Sequence, residues 1–209
     1  YALFGDELNT DWWEWVDLPH DYIIKQTPEE RNNNALGFFE YGNAWYRKLF
    51  NLDESDKGKR LTLLFEAVAT HCTIYLNGCV LKHNFCGYNS FEVDITDFVK
   101  FGEGKENENV LAVYVNSDEF EGWWYQGAGI YRHVWLRVVN ATHLKTNGVC
   151  VQTALSPDRS SATVKVTAEI DTAAADKGGK FTVTHTILGV KSRQHNGRIT
   201  VANPRLWST

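Results

Sequence analysis

Apolar and polar residues alternate with period two along most of this chain, and helical periodicity is nearly absent. Leu61, Leu63, Phe65 and Ala67 fall on one face of one such run, with Thr62, Leu64, Glu66 and Val68 on the other. A strand produces this pattern because its successive side chains point to opposite faces. Residues 74–76, 91–93, 111–115 and 134–138 repeat it, the last with Val134, Leu136 and Val138 inward. Turn signals separate these runs at residues 53–58, at Asn77-Gly78 and at residues 102–105. Many short strands joined in this way predict an all-β sandwich or barrel. Past the first thirty residues the one helical candidate is a turn opened by Asp94 or Thr96 as N-cap and stopped near Gly102.

Beyond about residue 140 the aromatic content falls and small and β-branched residues take over, which predicts a boundary near 140–143 and two domains, 1–140 and 141–209. In the second, Val164, Val166, Ala168 and Ile170 face one way and Thr163, Lys165, Thr167 and Glu169 the other. After the loop 172–179, Phe181, Val183, His185 and Ile187 repeat the alternation, so His185 reads as a core or interface histidine rather than a ligand.

Composition narrows the function classes. The 209 residues are 43% hydrophobic and 22% charged, ordinary for a folded globular protein. A net charge of −5 with scattered Lys and Arg is not the concentrated basic footprint of a nucleic-acid binder, and neutral substrates fit better. No apolar run approaches the roughly 18 residues of a membrane-spanning helix, so neither nucleic acid nor membrane is an expected partner. No basic-then-apolar leader opens the sequence at Tyr1, and the compartment is not read directly, a periplasmic or secreted setting being favoured over a cytoplasmic one. The lack of any Met and the end at Leu206-Trp207-Ser208-Thr209 suggest a piece of a longer protein.

Cys72, Cys79 and Cys86 recur every seven residues, which is not a C-x2-C metal spacing. The hairpin at Asn77-Gly78 pairs Leu76 with Cys79 and sets Cys72 opposite His83. Cys72 and Cys79 then stand roughly 13 Å apart along the strands at about 3.3 Å per residue, too far for a disulfide. Buried free thiols are expected, with a disulfide to Cys150 or Cys86 as the alternative.

Residues 123–136, WWYQGAGIYRHVWL, run an aromatic cluster into a glycine turn and then into a strand. Aromatic faces suit the C–H face of a pyranose, and the polar edges of Tyr, Trp, Gln and Arg suit its hydroxyls. Gly127 and Gly129 let backbone approach a ligand or take positive φ. The plainer reading is a strand after a tight turn, with the aromatics in the core. Catalytic signals are weak: Ser90, Ser117 and the histidines lack a motif such as G-x-S-x-G. Glu66, Glu92 and Asp94 lie on or at the ends of strands with nothing joining them, and Asn107-Glu108 sits in a loop with no strand before it.

The segment WYQGAGIYRHVWL resembles the end of the N-terminal domain of family-2 glycoside hydrolases, β-galactosidase-like members in particular. Five other blocks agree in order: Asp17-Leu18-Pro19-His20-Asp21-Tyr22; Ala44-Trp45-Tyr46-Arg47-Lys48-Leu49-Phe50; Phe65-Glu66-Ala67-Val68 with Ile74-Tyr75-Leu76-Asn77-Gly78; the run 86–96, CGYNSFEVDIT; and Asn109-Val110-Leu111-Ala112-Val113. Asn203-Pro204-Arg205-Leu206-Trp207-Ser208 is similar to the NP-x-LWS near the end of the family's second domain.

This resemblance implies a jelly-roll sugar-binding sandwich followed by an immunoglobulin-like sandwich, here with fewer residues than that fold usually takes. It implies a parent glycosidase, homo-oligomeric, whose two catalytic glutamates lie on a following TIM barrel. The segment itself is then non-catalytic and carries no cofactor, while the parent uses sodium or magnesium. In relatives the residue after the Gly-Ile-Tyr/Phe-Arg run reaches the cleft, often as an aspartate that helps hold a cation. Here it is His133, which offers imidazole and no carboxylate. His133, Trp124, Tyr125 and Asn43 are the candidates for substrate contact; Arg132, Gly127 and Gly129 are expected to shape the rim, and Asp21 to fix a turn. A stand-alone carbohydrate-binding module stacking sugars on Trp123, Trp124 and Tyr125 is the alternative, and β-glucuronidase or β-mannosidase are alternatives within the family.

Overall fold

The computed structural model describes residues 13–117 and 123–185. The chain divides into two compact units, Tyr1–Val138 and Val139–Thr209. Among the described residues the only helical pieces are 3-10 turns of three residues each, at Asn34–Leu36, Glu54–Asp56, Lys105–Asn107 and Ala174–Asp176. The architecture is all-β.

Among the described residues of the first unit seven strands form two sheets: β1 (Ala44–Phe50), β2 (Arg60–Phe65), β3 (His71–Leu76), β4 (Cys79–Asn84), β5 (Phe91–Asp94), β6 (Asn109–Asn116) and β7 (Val134–Val139), whose last residue crosses the unit boundary. One sheet has the order β1-β6-β3-β4 and the other β5-β2-β7. Their inner faces share one core. Leu61, Leu63 and Phe65 of β2 and Phe91 and Val93 of β5 meet Cys72, Ile74 and Leu76 of β3 and Leu111, Val113 and Val115 of β6. Phe65 stacks on Phe91 with ring centroids 5.0 Å apart. The alternation holds through β2, with Leu61, Leu63 and Phe65 buried and Ala67 buried just beyond it, but it ends there: Val68, expected on the opposite face, is buried in the same core. Burying one such large apolar side chain stabilises the fold by roughly 1.5 to 3 kcal/mol.

Asn77 and Gly78 both take positive φ, as a two-residue hairpin turn requires, and Leu76 pairs with Cys79 as the sequence predicts. The expected register then fails. A bulge between Ile74 and Tyr75 leaves Leu81 as an extra residue, so Cys72 lies opposite Asn84 instead of His83. His83 faces Thr73, whose hydroxyl lies 2.8 Å from its Nδ1. All four cysteines are free, but only Cys72 is buried, its thiol pushed up to about 12 by burial; Cys79 and Cys150 are exposed and Cys86 is half-buried. The expectation of buried thiols is thus corrected at three positions.

The helical candidate is a single turn. Asp94 Oδ1 accepts from the Thr96 amide at 2.9 Å and from its hydroxyl at 2.6 Å, and only Phe98 N–H to Ile95 O, 3.0 Å, follows. Strand β7 departs from its pattern too. Val134 and Val138 pack on the core, but Leu136, expected inward with them, is 43% exposed; Trp135 on the opposite face is 52% exposed, against the plainer reading that put the segment's aromatics in the core. The cause is position: β7 and β1 are edge strands of their sheets, and Leu136 lines an apolar groove of about 390 Å³ shared with Phe50 of β1 and with Val16 and Leu18. Trp45 is half-buried on the outer face of its sheet, against Tyr75 and Tyr114.

The described residues of the second unit form an antiparallel pair, β8 (His143–Leu155) and β9 (Ala162–Asp171). Val151 faces Val166 and Val149 faces Ala168, so the apolar residues share one face, on which Val149 and Val151 are exposed. In residues 181–185 the predicted alternation persists in burial, with Phe181, Val183 and His185 half-buried between exposed threonines. Ile187 and the 203–208 block lie outside the described residues.

Candidate functional site

The glycine turn is held by the segment around Asp21. Backbone pairing runs from His20 N–H to Ile130 O at 2.8 Å and from Tyr22 N–H to Ala128 O at 3.0 Å. Asp21 Oδ1 accepts from the amides of Ile23 (2.9 Å) and Ala128 (3.2 Å), and Oδ2 accepts from the Tyr125 hydroxyl at 2.6 Å. This carboxylate therefore fixes both its own turn and the distant one. Gly127 and Gly129 sit at φ +67° and +130°, and a Cβ on either would collide, at Gly127 with the Asp21 carboxylate and at Gly129 with the Tyr46 hydroxyl and the His20 carbonyl. Both lack a side chain for steric reasons.

Tyr46 OH lies 2.9 Å from His20 Nδ1, and burial holds its phenol well above the usual tyrosine range. Tyr125 is raised as well, by burial first and by the Asp21 carboxylate second. Its ring meets Phe39 edge-on at 5.4 Å. The hydroxyl of Tyr125, a candidate for sugar contact, is thus engaged by Asp21. Its neighbours Trp123 and Trp124 are 86% and 55% exposed, and Asn43 is exposed just before β1.

His133 sits at the start of β7, more than half exposed, in a cluster that the sequence did not reveal. Its backbone exchanges hydrogen bonds with Glu66, His133 N–H to Glu66 Oε2 at 3.3 Å and Glu66 N–H to His133 O at 3.1 Å. The imidazole Nδ1 lies 3.5 Å from Glu66 Oε2, and the ring stacks on Trp135 with centroids 5.4 Å apart. Trp135 Nε1 donates to Glu66 Oε1 at 3.0 Å. These donors, the indole first, hold the Glu66 carboxyl below the usual carboxylate range. Glu66 is brought to His133 because β2 neighbours β7, whereas the Asp94 carboxylate pairs with Arg60 at 3.3 Å. No local spacing signals a contact between residues 67 positions apart.

Arg132 is the third residue expected to shape the rim. Its guanidinium lies over the Tyr131 ring, 5.6 Å from the centroid, and among the described residues it forms no ion pair. Asn107-Glu108 belongs to a surface 3-10 turn, the Asn107 amide donating to Glu103 O at 2.9 Å. Among the described residues no three His, Cys, Asp or Glu side chains gather to hold a metal. At His133 a lone carboxylate, already bonded to an indole and an amide, does not form the oxygen shell that sodium or magnesium requires, so no chemical step is assigned to a cation here.

The first unit is thus an all-β sandwich with an aromatic rim on a glycine turn. The chain belongs to the family-2 glycosyl hydrolases: residues 22–139 match that family's sugar binding domain. It is 30% identical to the β-galactosidase BoGH2A of Bacteroides ovatus over 93% of this chain and 25% of that protein. With a β-glucuronidase of Formosa agariphila it shares 30% identity over 94% of this chain and 24% of that protein. The crystal structure of a β-glycosidase from Bacteroides vulgatus superposes with a TM-score of 0.73 at 34% identity, covering 82% of this chain and 22% of that one. The chain spans about a quarter of the length of these relatives, which therefore carry much further sequence.

Proposed function

We propose that this chain is the non-catalytic N-terminal part of a β-galactosidase-like glycosidase that hydrolyses O-glycosidic bonds. Residues 1–140 are its sugar-binding jelly roll and residues 141–209 the start of an immunoglobulin-like sandwich. The observation that carries the reading is the family match over residues 22–139, extended across nearly the whole chain by glycosidase relatives. The two carboxylates of a retaining mechanism, about 5 Å apart, belong in this reading to a TIM barrel beyond this segment in a homo-oligomeric parent. The first unit supplies the rim of the barrel's cleft: His133, steadied by Glu66 and Trp135, offers ring nitrogens to a substrate hydroxyl, while Trp124 and Asn43 border it.

The experiment is an assay of nitrophenyl glycosides with the 209-residue chain and with the longer protein. The longer protein turns over a β-galactoside and the chain alone does not. Turnover by the chain that survives repurification and is abolished by Glu108→Gln overturns the reading. β-Glucuronidase activity is the alternative within the family, favoured by relatives of that name; β-mannosidase activity would appear in the same assay. The exposure of adjacent Trp123 and Trp124 favours a second reading, a carbohydrate-binding module that stacks polysaccharide on the two indoles. Calorimetric binding of polysaccharide by the isolated chain, lost in Trp124→Ala, would establish that reading instead.

A further inference from the structure

On the flank of the glycine turn lies a second concavity, a pocket of about 230 Å³ lined by Ala69, Thr70, Gly87, Tyr88, Gln126, Tyr131 and Arg132. It is smaller than the roughly 300 to 1,000 Å³ of pockets that take drug-sized ligands, and so suits a single sugar ring. Its walls are tied together. Ala69 and Gly129 exchange backbone hydrogen bonds of 3.0 and 2.9 Å, and the Tyr131 hydroxyl donates to Gly87 O at 2.6 Å. That bond fixes the Tyr131 ring, and the ring carries the Arg132 guanidinium over its face. A site whose groups are already held loses little entropy when it binds.

We propose that this pocket takes one pyranose unit bearing a carboxylate. Tyr88, 58% exposed, presents an apolar ring for the C–H face of the sugar. The Thr70 hydroxyl and the Gln126 amide border the pocket as partners for ring hydroxyls. Arg132 is the one charged side chain in the lining, and among the described residues no carboxylate pairs with it. Its planar fork of donors matches a carboxylate in bidentate fashion. A neutral sugar seated there would desolvate the guanidinium without pairing its charge, and that penalty selects for an acidic one. The inference rests on the carbohydrate reading above and adds the ligand's charge and its place.

The test is an NMR titration of backbone amides in the 209-residue chain with sodium glucuronate, glucose and sodium acetate in parallel. Glucuronate produces saturable shifts at Tyr88, Gln126, Tyr131 and Arg132. Glucose and acetate each bind at least about tenfold more weakly, as does glucuronate to Arg132→Gln, the loss expected for a charge-assisted hydrogen bond. Arg132→Lys, which keeps the charge but not the fork, loses several-fold and decides the matter if the Gln variant does not fold. Equal binding of glucose or acetate, unchanged binding by the variants, or no response overturns the proposal. The last is the result expected if an acidic side chain of another domain is the partner of Arg132. Glycosidase activity of the longer protein is scored separately. An inactive longer protein with a glucuronate-binding pocket refutes the function above and leaves the pocket standing, and the converse result refutes only the pocket.

Discussion

Asp21 Oδ2 accepts the Tyr125 hydroxyl at 2.6 Å across 104 positions of sequence, joining the Leu18-Pro19-His20-Asp21 block to the glycine turn. Tyr125→Phe removes one charge-assisted hydrogen bond and is expected to cost about 1 to 2 kcal/mol, a Tm loss of several degrees. Asp21→Ala also strips the Ile23 and Ala128 amides of their acceptor and costs more. The Tyr125 phenol is raised in the fold, so its contribution is fully present below the ordinary tyrosine pKa near 10 and is lost as pH rises above it. Thermal melts from pH 8 to 11 check this: the wild type loses stability more steeply on the alkaline side than Tyr125→Phe does. Parallel curves would contradict the bond.

The Glu66 carboxyl is lowered in the fold, chiefly by the Trp135 indole. The stabilisation this represents is present above the ordinary carboxylate pKa and disappears as pH falls through the lower folded value. Carboxyl carbon NMR titration should place Glu66 below the usual glutamate range and show it returning toward that range in Trp135→Phe. A Glu66 titration indifferent to that substitution would mean that the indole bond is not maintained in solution.

His133→Ala in the longer protein is expected to lower kcat/KM by roughly three- to thirtyfold, because one hydrogen bond to a substrate hydroxyl is worth about 0.5 to 1.5 kcal/mol and more if it tightens in the transition state. The melting temperature should change little, since the imidazole is more than half exposed and the backbone of His133 keeps its bonds to Glu66. Full activity with several degrees of lost stability would make His133 a structural residue.

Limited proteolysis should cut first in the second unit, within residues 173–179. There a short 3-10 turn and exposed backbone follow β9, and the apolar face of the β8–β9 pair leaves Val149 and Val151 exposed. Strand β2, with Leu61 and Phe65 fully buried, should resist longest. A first cut between residues 61 and 67 would refute this order of stability.

Strand β2 was legible because one local rule, alternation, decided its burial, and Asn77-Gly78 was legible because few other dipeptides accept two positive φ values in a row. The register of β3 on β4 was not. Nothing in residues 79–84 marks Leu81 as the one left over at the bulge, yet that single residue moves His83 from Cys72 to Thr73. Leu136 was misread for a related reason: alternation tells that it shares a face with Val134 and Val138 but not whether that face is covered along its whole length, and β7 lies at the edge of its sheet.

By itself, then, the sequence determined the all-β class, the inward face of β2, the hairpin turn and the family, all of which rest on local pattern or on ordered motifs. The tertiary structure alone decided that Glu66 would meet His133 and Trp135, that Asp21 would take the Tyr125 hydroxyl, and that Arg132 would lie on Tyr131 beside an open pocket. The contacts of Glu66 and Asp21 join side chains 67 to 104 positions apart through strand order and chain crossing, which no periodicity encodes. Arg132 and Tyr131 are neighbours in sequence, but the pocket beside them forms only where residues 69–70 and 87–88 come alongside.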